Sequence, residues 1–258
     1  MTRHAKSRQI LGVRFFNGSA SEAVEILQQG GLLVVPAAPA LKNLPWDEDY
    51  REALLKADLV ITDSAFMVLL WNFLERDSIR RLSGLEYLRE LVKSSDFRRN
   101  GETFWVMASP ASADKNVAWL QAQGLEVGKD DYYLAPHYRR PIEDHELLAQ
   151  LRKRRPKHVV VTIGGGTQEL LGLYIKNNLD YPVAIHCIGA AIAFLSGDQV
   201  RIPDWADKLY LGWLFRCIAD PQRYGPRYWD ARHLLSLLAK YRERLPEPRN
   251  SLEGAESG

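Results

Sequence analysis

Apolar residues along this chain occur in short β-branched runs, separated by amphipathic stretches with helical spacing. Helices are predicted at stretches such as SEAVEILQQ, where Ser19 and Glu22 form a capping box, and DYREALLKA. Strands are predicted at the runs ILGVRFF, LLVVP, ADLVIT, TFWVMA, KHVVVTI and YPVAIHC. Strands that alternate with helices over short connections predict an α/β fold with a doubly wound, mostly parallel sheet.

The order of these elements predicts two Rossmann-like halves, an N-terminal lobe over residues 1–100 and a second lobe over residues 101–200. In the second lobe, LEVG is predicted as a short strand and DDYYLAPHYRRP as a loop. Residues 201–245 are helical in pattern, aromatic and rich in arginine, and residues 246–258 are predicted to be a disordered tail. A C-terminal helical appendage is therefore expected on the α/β body.

The buried run KHVVVTI leads directly into three glycines, Gly164, Gly165 and Gly166, then Thr167 and a helix. Glycines let a backbone approach a ligand closely, and the N–H groups at a helix start favour phosphate or diphosphate. The turn is not a P-loop, because no Lys-Ser/Thr follows the glycines. It also lacks the dinucleotide fingerprint, because Glu169 stands where the last glycine should be. A purely structural strand-to-helix turn would have the same pattern.

Asp63 directly follows the strand LVIT, at the sheet edge where open α/β folds bind ligands. It is a candidate general base or ligand-binding carboxylate; the alternative is an N-cap for the next helix. Arg81 could pair with Asp63 or with a phosphate, or be a surface charge. Asp47, Glu48 and Asp49 could hold a divalent metal, although acids in a first helical turn are also favoured by the helix dipole.

The apolar run YPVAIHC ends close to a turn of small residues that includes Gly189. His186 alternates with apolar residues in this strand, so it is predicted to be a core histidine whose nitrogens are satisfied by the backbone. The stretch from Pro182 to Leu195 is the longest apolar one, and it is too short to span a bilayer.

Composition narrows the functional classes. The chain has 258 residues, is 46% hydrophobic and carries a net charge of +2, which argues for a soluble globular protein and against bulk nucleic-acid binding. Ten Lys/Arg against six Asp/Glu make residues 201–249 locally basic, which suits an anionic lipid surface or a solvated helical face. Arg216, Arg223 and Arg227, close to aromatic residues, are candidates for contact with membrane headgroups.

Five segments follow one another along the chain: ADLVITDSAFMVLLW, RLSGLEYL, TIGGGTQE, IGAAIAFLSGDQVRIPDW and LGWLFRCIADPQRYGPRY. In this order they resemble the motifs of the WecG/TagA/CpsF family of bacterial glycosyltransferases, glycosyltransferase family 26. They correspond to the family's Pro-Asp-Gly strand end, Arg-hydrophobic-Thr-Gly-x-Asp, Gly-x-Gly-x-Pro-x-Gln-Glu, glycine-rich turn with Ala-Pro-x-Trp, and arginine-rich Leu-Glu-Trp ending. The resemblance covers residues 10 to 235.

This resemblance implies an inverting, metal-independent transferase that needs no cofactor. It would move a sugar from a nucleotide diphosphate, usually UDP, to a polyprenyl-diphosphate-linked glycan in the synthesis of surface polysaccharides such as teichoic acid. Residues 101–200 would bind the nucleotide, and residues 201–245 would contact the anionic inner face of the cell membrane from the cytoplasm. No nucleic-acid partner is expected, and a homo-oligomer is left open.

Aligned with the family's motifs, Asp63 is the catalytic carboxylate, Arg81 the motif arginine and Gln168 the motif glutamine. Tyr132 or Tyr133 stands at the family's Gly-Tyr-Phe loop and could pack on the nucleotide base. The remaining donor-binding candidates implied by the resemblance are Gly164, Gly165, Gly166, Thr167, Glu169 and Gly189.

The chain departs from the family pattern at polar positions. The segment Pro36-Ala37-Ala38-Pro39-Ala40 replaces Thr-Pro-Asn-Pro-Glu, Ile192-Ala193 replaces Phe-Asp, Gly212 replaces a glutamate and Glu86 an aspartate. Loss of such groups should change the donor or acceptor, or abolish turnover. The second hypothesis is thus a non-catalytic relative that binds a nucleotide sugar or a polysaccharide-assembly partner. A dehydrogenase is disfavoured by the missing fingerprint.

Overall fold

The computed structural model describes residues 6–199, 206 and 212–248, without the side chains of six residues in the two helices that begin at Gly212 and Pro221. Within this part, eight strands form one sheet in the order β1-β2-β4-β3-β8-β7-β5-β6. The strands are β1 (Ser7–Ile10), β2 (Val13–Phe16), β3 (Gly31–Val34), β4 (Leu59–Ile61), β5 (Thr103–Met107), β6 (Tyr132–Leu134), β7 (His158–Val161) and β8 (Ala184–Cys187).

β1 and β2 form an antiparallel hairpin, and every other pair in the sheet is parallel. β8 lies in the middle, where Leu33 pairs with His186 on one side and Val160 pairs with His186 on the other. The predicted mostly parallel α/β sheet is confirmed, and β8 joins strands from both halves of the chain.

Helices cover both faces of the sheet, and most start where the sequence predicts. α1 begins with the predicted capping box, in which Ser19 N donates to Glu22 Oε2 (2.8 Å). The helices are α1 (Ala20–Leu27), α2 (Ala38–Leu41), α3 (Glu48–Lys56), α4 (Ala65–Glu75), α5 (Gly84–Leu91), α6 (Pro110–Ala122), α7 (His145–Arg154), α8 (Gln168–Asn178), α9 (Ala191–Ser196), α10 (Gly212–Ala219), α11 (Pro221–Asp230) and α12 (His233–Tyr241).

The two faces are covered by different helices. One core contains buried residues of α2, α3, α4, α7, α8 and α12, and the other contains buried residues of α1, α5, α6 and α9. The chain therefore goes to opposite faces after the neighbouring strands β3 and β8, to α2 in one case and to α9 in the other. Such a switch opens a crevice at the carboxyl ends of the strands, where α/β proteins bind ligands.

Two local predictions are wrong. The run ILGVRFF is two strands rather than one, because Leu11 (φ 50°) and Gly12 (φ 77°) turn the chain back on itself. LEVG is not a strand: Leu125 and Val127 are buried in the core without strand pairing, and β6 forms instead within the predicted loop. In both places packing of apolar side chains, which a local pattern does not contain, decides the backbone path.

The prediction that the backbone satisfies His186 is also wrong. Its Nδ1 lies 2.8 Å from the Tyr87 hydroxyl and its Nε2 lies 3.1 Å from Nδ1 of His158. Burial lowers the pKa of His158 to about 4 and that of His186 well below its ordinary value. A buried chain of three polar side chains thus joins α5, β8 and β7.

The last of the described helices, α12, is part of the main body. Leu234, Leu237, Leu238 and Tyr241 of α12 are buried in the same core as α3 and α8. Just beyond α12, the hairpin turn donates two backbone hydrogen bonds, from Leu11 N to Arg242 O (2.7 Å) and from Gly12 N to Glu243 O (2.9 Å). None of the helices described is long and apolar enough to cross a bilayer.

Candidate functional site

Asp63 lies at the carboxyl end of β4, but its side chain does not cap the helix that follows. Ser64 is the N-cap of α4, since its hydroxyl accepts a hydrogen bond from Met67 N (3.2 Å). Asp63 Oδ1 instead accepts from Gly84 N (2.9 Å), at the first residue of α5. The capping alternative is therefore wrong, and the carboxylate lies at the N-terminus of a different helix, where negative charge is stabilised.

Arg81 lies beside this carboxylate. Its Nε donates to Asp63 O (2.8 Å), and its guanidinium is 3.9 Å from Asp63 Oδ1, with the arginine side chain 13% exposed. Thr62 holds the backbone on both sides of Arg81 next to the end of β4. Its hydroxyl donates to Arg80 O (2.7 Å) and accepts from Leu82 N (2.9 Å). The structure thus brings together the carboxylate and the arginine that the sequence paired only as one alternative.

The glycine turn after β7 is an open backbone site at the start of α8. Gly166 has a φ of +92°, which favours glycine, and a Cβ at Gly164 or Gly166 would meet no described atom within 4 Å. Gln168 N donates to Gly164 O (3.1 Å), which closes the turn before the helix. Space on the outside of a glycine turn at a helix N-terminus is what an anionic ligand needs.

The turn after β8 lies between the Asp63–Arg81 pair and the start of α8. A Cβ at Gly189, where φ is +58°, would lie 3.3 Å from Gln168 Nε2, and a Cβ at Gly84 would lie 3.4 Å from Ile188 O. The turn after β8 therefore touches the Gln168 side chain on one side and the start of α5, which holds Asp63, on the other. Asp63, Arg81 and Gln168 lie at the carboxyl ends of the neighbouring strands β4, β3, β8 and β7.

Glu169 is fully buried beside these strand ends. Its Oε2 accepts from Gly166 N (2.7 Å), and its Oε1 accepts from Gln168 Nε2 (3.2 Å). Burial raises the pKa of Glu169 to about 7, and the nearby charge of Asp47 adds to the rise, whereas the hydrogen bonds to the carboxylate oppose it. The Glu169 side chain points into the protein, and its bond to Gly166 N fixes the conformation of the glycine turn.

The segment that departs most from the family pattern follows β3, between β4 and β8. Pro36 and Ala38 are buried, Ala37, Pro39 and Ala40 are half-buried, and α2 begins at Ala38 without a side-chain cap. The middle of the candidate site is therefore lined by short apolar side chains between the polar groups on either side.

The two tyrosines of β6 lie two strands away from β7, beyond β5. Tyr132 packs against the core with α1, α5, α6 and α9, whereas Tyr133 packs against the opposite core. The Tyr133 hydroxyl donates to Asp144 Oδ1 (3.3 Å), and burial together with Asp144 raises the pKa of Tyr133 to about 12. A stacking role for either ring stays a prediction.

Several remaining candidates lie elsewhere. Asp47 is the N-cap of α3, accepting from Tyr50 N (3.0 Å), and Arg140 Nη2 donates to its Oδ2 (2.7 Å), a contact that the sequence did not suggest. Among the described residues, no group of three or more His, Cys, Asp or Glu side chains could hold a metal ion. The side chains of Arg216, Arg223 and Arg227 lie outside what the structure describes.

One partner in the site was missed by sequence reasoning. Gly84 lies within the motif RLSGLEYL without a predicted role of its own, yet its N–H holds the Asp63 carboxylate. The motif Ser83-x-x-Glu86, in which Ser83 caps α5 by accepting from Glu86 N (3.0 Å), does locate this helix N-terminus in the sequence. What the sequence does not contain is the placement of that N-terminus against the end of β4.

A carboxylate paired with an arginine and a glycine turn, both at the carboxyl ends of strands around the switch point of a parallel sheet, fit a glycosyltransferase. The chain belongs to the family described as "Glycosyl transferase WecG/TagA/CpsF family", whose model matches residues 8–248. It is similar to "N-acetylglucosaminyldiphosphoundecaprenol N-acetyl-beta-D-mannosaminyltransferase" of Staphylococcus aureus strain NCTC 8325 / PS 47, with 22% identity over 225 residues. That match covers 84% of this chain and 86% of the relative. The proteins of the same description from strains COL and MRSA252 match to the same extent.

Proposed function

We propose that this protein is an inverting glycosyltransferase that moves a sugar from a nucleoside diphosphate, UDP in the first instance, to a glycan on a polyprenyl diphosphate. The observation that carries the proposal is the geometry of Asp63, which the N–H of Gly84 and the guanidinium of Arg81 hold at the carboxyl ends of the strands, where the glycine turn also lies. The relatives from Staphylococcus aureus, which act on N-acetylglucosaminyldiphosphoundecaprenol by name, support the lipid-linked acceptor.

In this reaction Asp63 takes the proton from the acceptor hydroxyl as that oxygen attacks the anomeric carbon from the face opposite the leaving diphosphate. Charge that develops on the diphosphate is stabilised by the N–H groups of Gly164 and Gly165, by the start of α8 and by Arg81. Gln168, which lies against Gly189 between these groups, orients sugar hydroxyls. This assignment needs no metal ion, and metal independence is part of the proposal.

The site lacks polar groups that the family uses, and this widens the range of donor sugars to be considered. The segment from Pro36 to Ala40 places apolar side chains where the family has threonine, asparagine and glutamate, so it cannot offer the same hydrogen bonds to a sugar. We therefore treat glucose, another hexose and a uronic acid as donors on equal terms with N-acetylmannosamine. The same observation favours the second candidate, a non-catalytic relative that binds a nucleotide sugar or an assembly partner.

The proposed location is the cytoplasmic face of the cell membrane, with α10 and α11, rather than the buried α12, in contact with the lipid. Ile218 of α10 and Trp229 of α11 are large apolar side chains that are 70% and 71% exposed. Residues 201–249 carry ten Lys/Arg against six Asp/Glu. Exposed apolar groups with a basic excess fit binding to an anionic interface.

A ligand-binding test separates the two candidate functions. A thermal-shift screen against UDP, GDP, CDP and TDP, each with and without Mg²⁺, should show a metal-independent shift with one of them, because ligand at ~100 times its Kd adds about 2.7 kcal/mol. Transfer from the matching nucleotide sugars to a polyprenyl-diphosphate-linked acceptor is then assayed with Asp63→Asn as the inactive control. Binding without transfer would favour the non-catalytic relative, and no binding would remove both.

The membrane proposal is tested by point substitution, because a deletion from Arg201 would also remove α12 and its buried core residues. Ile218→Asp with Trp229→Asp should release the protein from vesicles that contain anionic lipid. Leu55→Asp on α3 is the matched control, since Leu55 is also apolar and 45% exposed. Equal binding of all variants would refute the contact.

A further inference from the structure

The Gln168 and Glu169 side chains form one buried unit at the start of α8. Gln168 is 1% exposed and Glu169 0% exposed. One oxygen of Glu169 accepts from Gly166 N (2.7 Å) and the other from Gln168 Nε2 (3.2 Å). The same carboxyl group therefore fixes the backbone of the glycine turn and the orientation of the Gln168 amide.

The other end of that amide is unsatisfied. Gln168 Oε1 is buried and has no hydrogen-bond partner among the described residues, although a buried polar atom without a partner is destabilising. The amide lies against Gly189, at the turn between the glycine turn and the start of α5. A hydrogen-bond donor on a ligand would satisfy this acceptor once the turn at Gly189 moves to expose Oε1, which has no accessible surface in this arrangement.

The protonation state of Glu169 decides what Gln168 can offer. Asp47 and Tyr50 face the carboxyl group from α3 and its N-cap, and Cys187 faces it from β8. In this setting burial raises the pKa of Glu169 to about 7, so both forms are populated near neutral pH. Ionised, Glu169 can only accept, whereas protonated it also carries a donor.

We propose that Glu169 is a positioning residue that selects which end of the Gln168 amide faces the ligand. When Glu169 is ionised, it binds Nε2 and leaves Oε1 to accept from a sugar hydroxyl. When it takes up a proton on the oxygen facing Gln168, that O–H donates to Oε1 and the amide, turned by half a rotation, presents Nε2 as a donor. Gly166 N keeps its bond to the second carboxyl oxygen in both states.

This inference rests on the proposed function, and it adds a preference for the donor sugar. A hydroxyl can donate to Oε1, so the ionised state should favour a neutral hexose. A carboxylate can only accept, so the protonated state, which presents Nε2, should favour a uronic acid. The relative affinity for the two kinds of donor should therefore change between pH 6 and 8.

The test measures the affinities of UDP-glucose and UDP-glucuronate from pH 6 to 8.5 by calorimetry. Both are diphosphate diesters without the terminal phosphate that titrates near pH 6 in UDP, so the ligands do not change charge in this range. In the wild type, the ratio of the two Kd values should change by about tenfold toward glucose as pH rises, the effect of one exchanged hydrogen bond.

Glu169→Gln is the conservative variant. Its amide oxygen can accept from Gly166 N while its NH₂ donates to Gln168 Oε1, so it should give the low-pH ratio at every pH. Glu25→Gln on exposed α1 is the matched control and should keep the wild-type change. A wild-type ratio that does not vary with pH, or the same variation in Glu169→Gln, overturns the inference.

A spectroscopic readout keeps the inference testable if neither nucleotide binds and the proposed function fails. The side-chain NH₂ signals of Gln168 in ¹⁵N-labelled protein are assigned by their loss in Gln168→Ala. They should shift with a midpoint near pH 7 in the wild type and stay constant in Glu169→Gln. Signals that do not move in the wild type, or that move equally in Glu169→Gln, contradict the role.

Discussion

Asp63 and Glu169 both lie beyond the carboxyl ends of strands in one sheet, Asp63 after β4 and Glu169 after β7, yet their surroundings differ. The Asp63 side chain is 26% exposed and lies between an N–H group and a guanidinium, whereas Glu169 is fully buried and its neighbours include Asp47. An accessible carboxylate can exchange a proton with a bound ligand. A buried one is suited to fixing the groups around it, and the comparison thus separates a chemical role from a positioning role.

The largest effect is expected at the exposed carboxylate. Asp63→Asn should lower the rate of sugar transfer by ~10²–10⁴, the usual contribution of a general base, with little change in nucleotide-sugar affinity. The measurement is kcat with a polyprenyl-diphosphate-linked acceptor, alongside Kd for the donor. Asp77→Asn, which alters a carboxylate bound by Arg8 and Trp71, serves as control. A fully active Asp63→Asn variant would remove Asp63 from the chemistry.

The buried carboxyl should show its effect in stability. Because folding raises the pKa of Glu169 from 4.5 to about 7, the folded protein keeps a proton that the unfolded chain releases in this range. The free energy of unfolding should therefore fall by about 3 kcal/mol as pH rises from about 4.5 to 7, and this contribution then stays constant.

Urea denaturation of the wild type and Glu169→Gln at a series of pH values isolates this contribution, since the buried histidines act equally in both proteins. Asp63→Asn is the control from the other side of the comparison and should leave the difference curve unchanged. Parallel curves for wild type and Glu169→Gln would show that the burial of Glu169 has no such cost.

The connection between the two regions can be broken at Gly189. Gly189→Ala would place a Cβ at a φ of +58° and 3.3 Å from Gln168 Nε2. Gly101→Ala is the matched control, because Gly101 lies outside the site and has a positive φ of +78° with open space around the added carbon. We expect Gly101→Ala to cost about 1 kcal/mol and Gly189→Ala about 2 kcal/mol, with weaker donor binding in Gly189→Ala. Equal losses of stability and affinity in the two variants would mean that the Gln168 side chain moves away from the added carbon at little cost.

The smallest effect concerns the charge next to Glu169. Asp47→Asn keeps a helix cap but weakens the half-exposed ion pair with Arg140, which should cost ~0.5 kcal/mol. Since the charge of Asp47 raises the pKa of Glu169, the variant should also move the stability transition to lower pH. Asp49→Asn, at an exposed carboxylate 3.8 Å from Arg140, tests whether any nearby charge has the same result. A transition that stays in place in Asp47→Asn would argue against the coupling.

The fold could be predicted to the extent that local patterns determine it. The apolar run ending at Val161 and the capping box at Ser19 formed as expected, because burial on both faces and a cap leave clear local signals. The β1–β2 turn did not, because Leu11 adopts a left-handed conformation that its type disfavours and that packing in the core imposes. No local pattern carries that information.

The features of the candidate site also fall into those that a local pattern predicts and those that it does not. Position at a strand end identified Asp63, and glycines marked the turn before α8, since both are properties of neighbouring residues. The bond from Gly84 N to Asp63 joins residues 21 apart, and the chain from Tyr87 through His186 to His158 joins three elements. Such contacts depend on how helices pack on the sheet, so they were not predicted. The burial of Glu169 belongs to the same class.

The position of β8 bears on how the protein is made. β3 pairs with β8, so one edge of β3 has no partner until residues 184–187 have been synthesised, and the core beneath α4 waits for α12. Native pairing across such a sequence distance forms slowly and leaves apolar edges exposed in the meantime. We expect ribosome-bound chains that end before Ala184 to be digested readily by protease throughout their N-terminal half. Stable folding of this protein would then begin only as α12 leaves the ribosome.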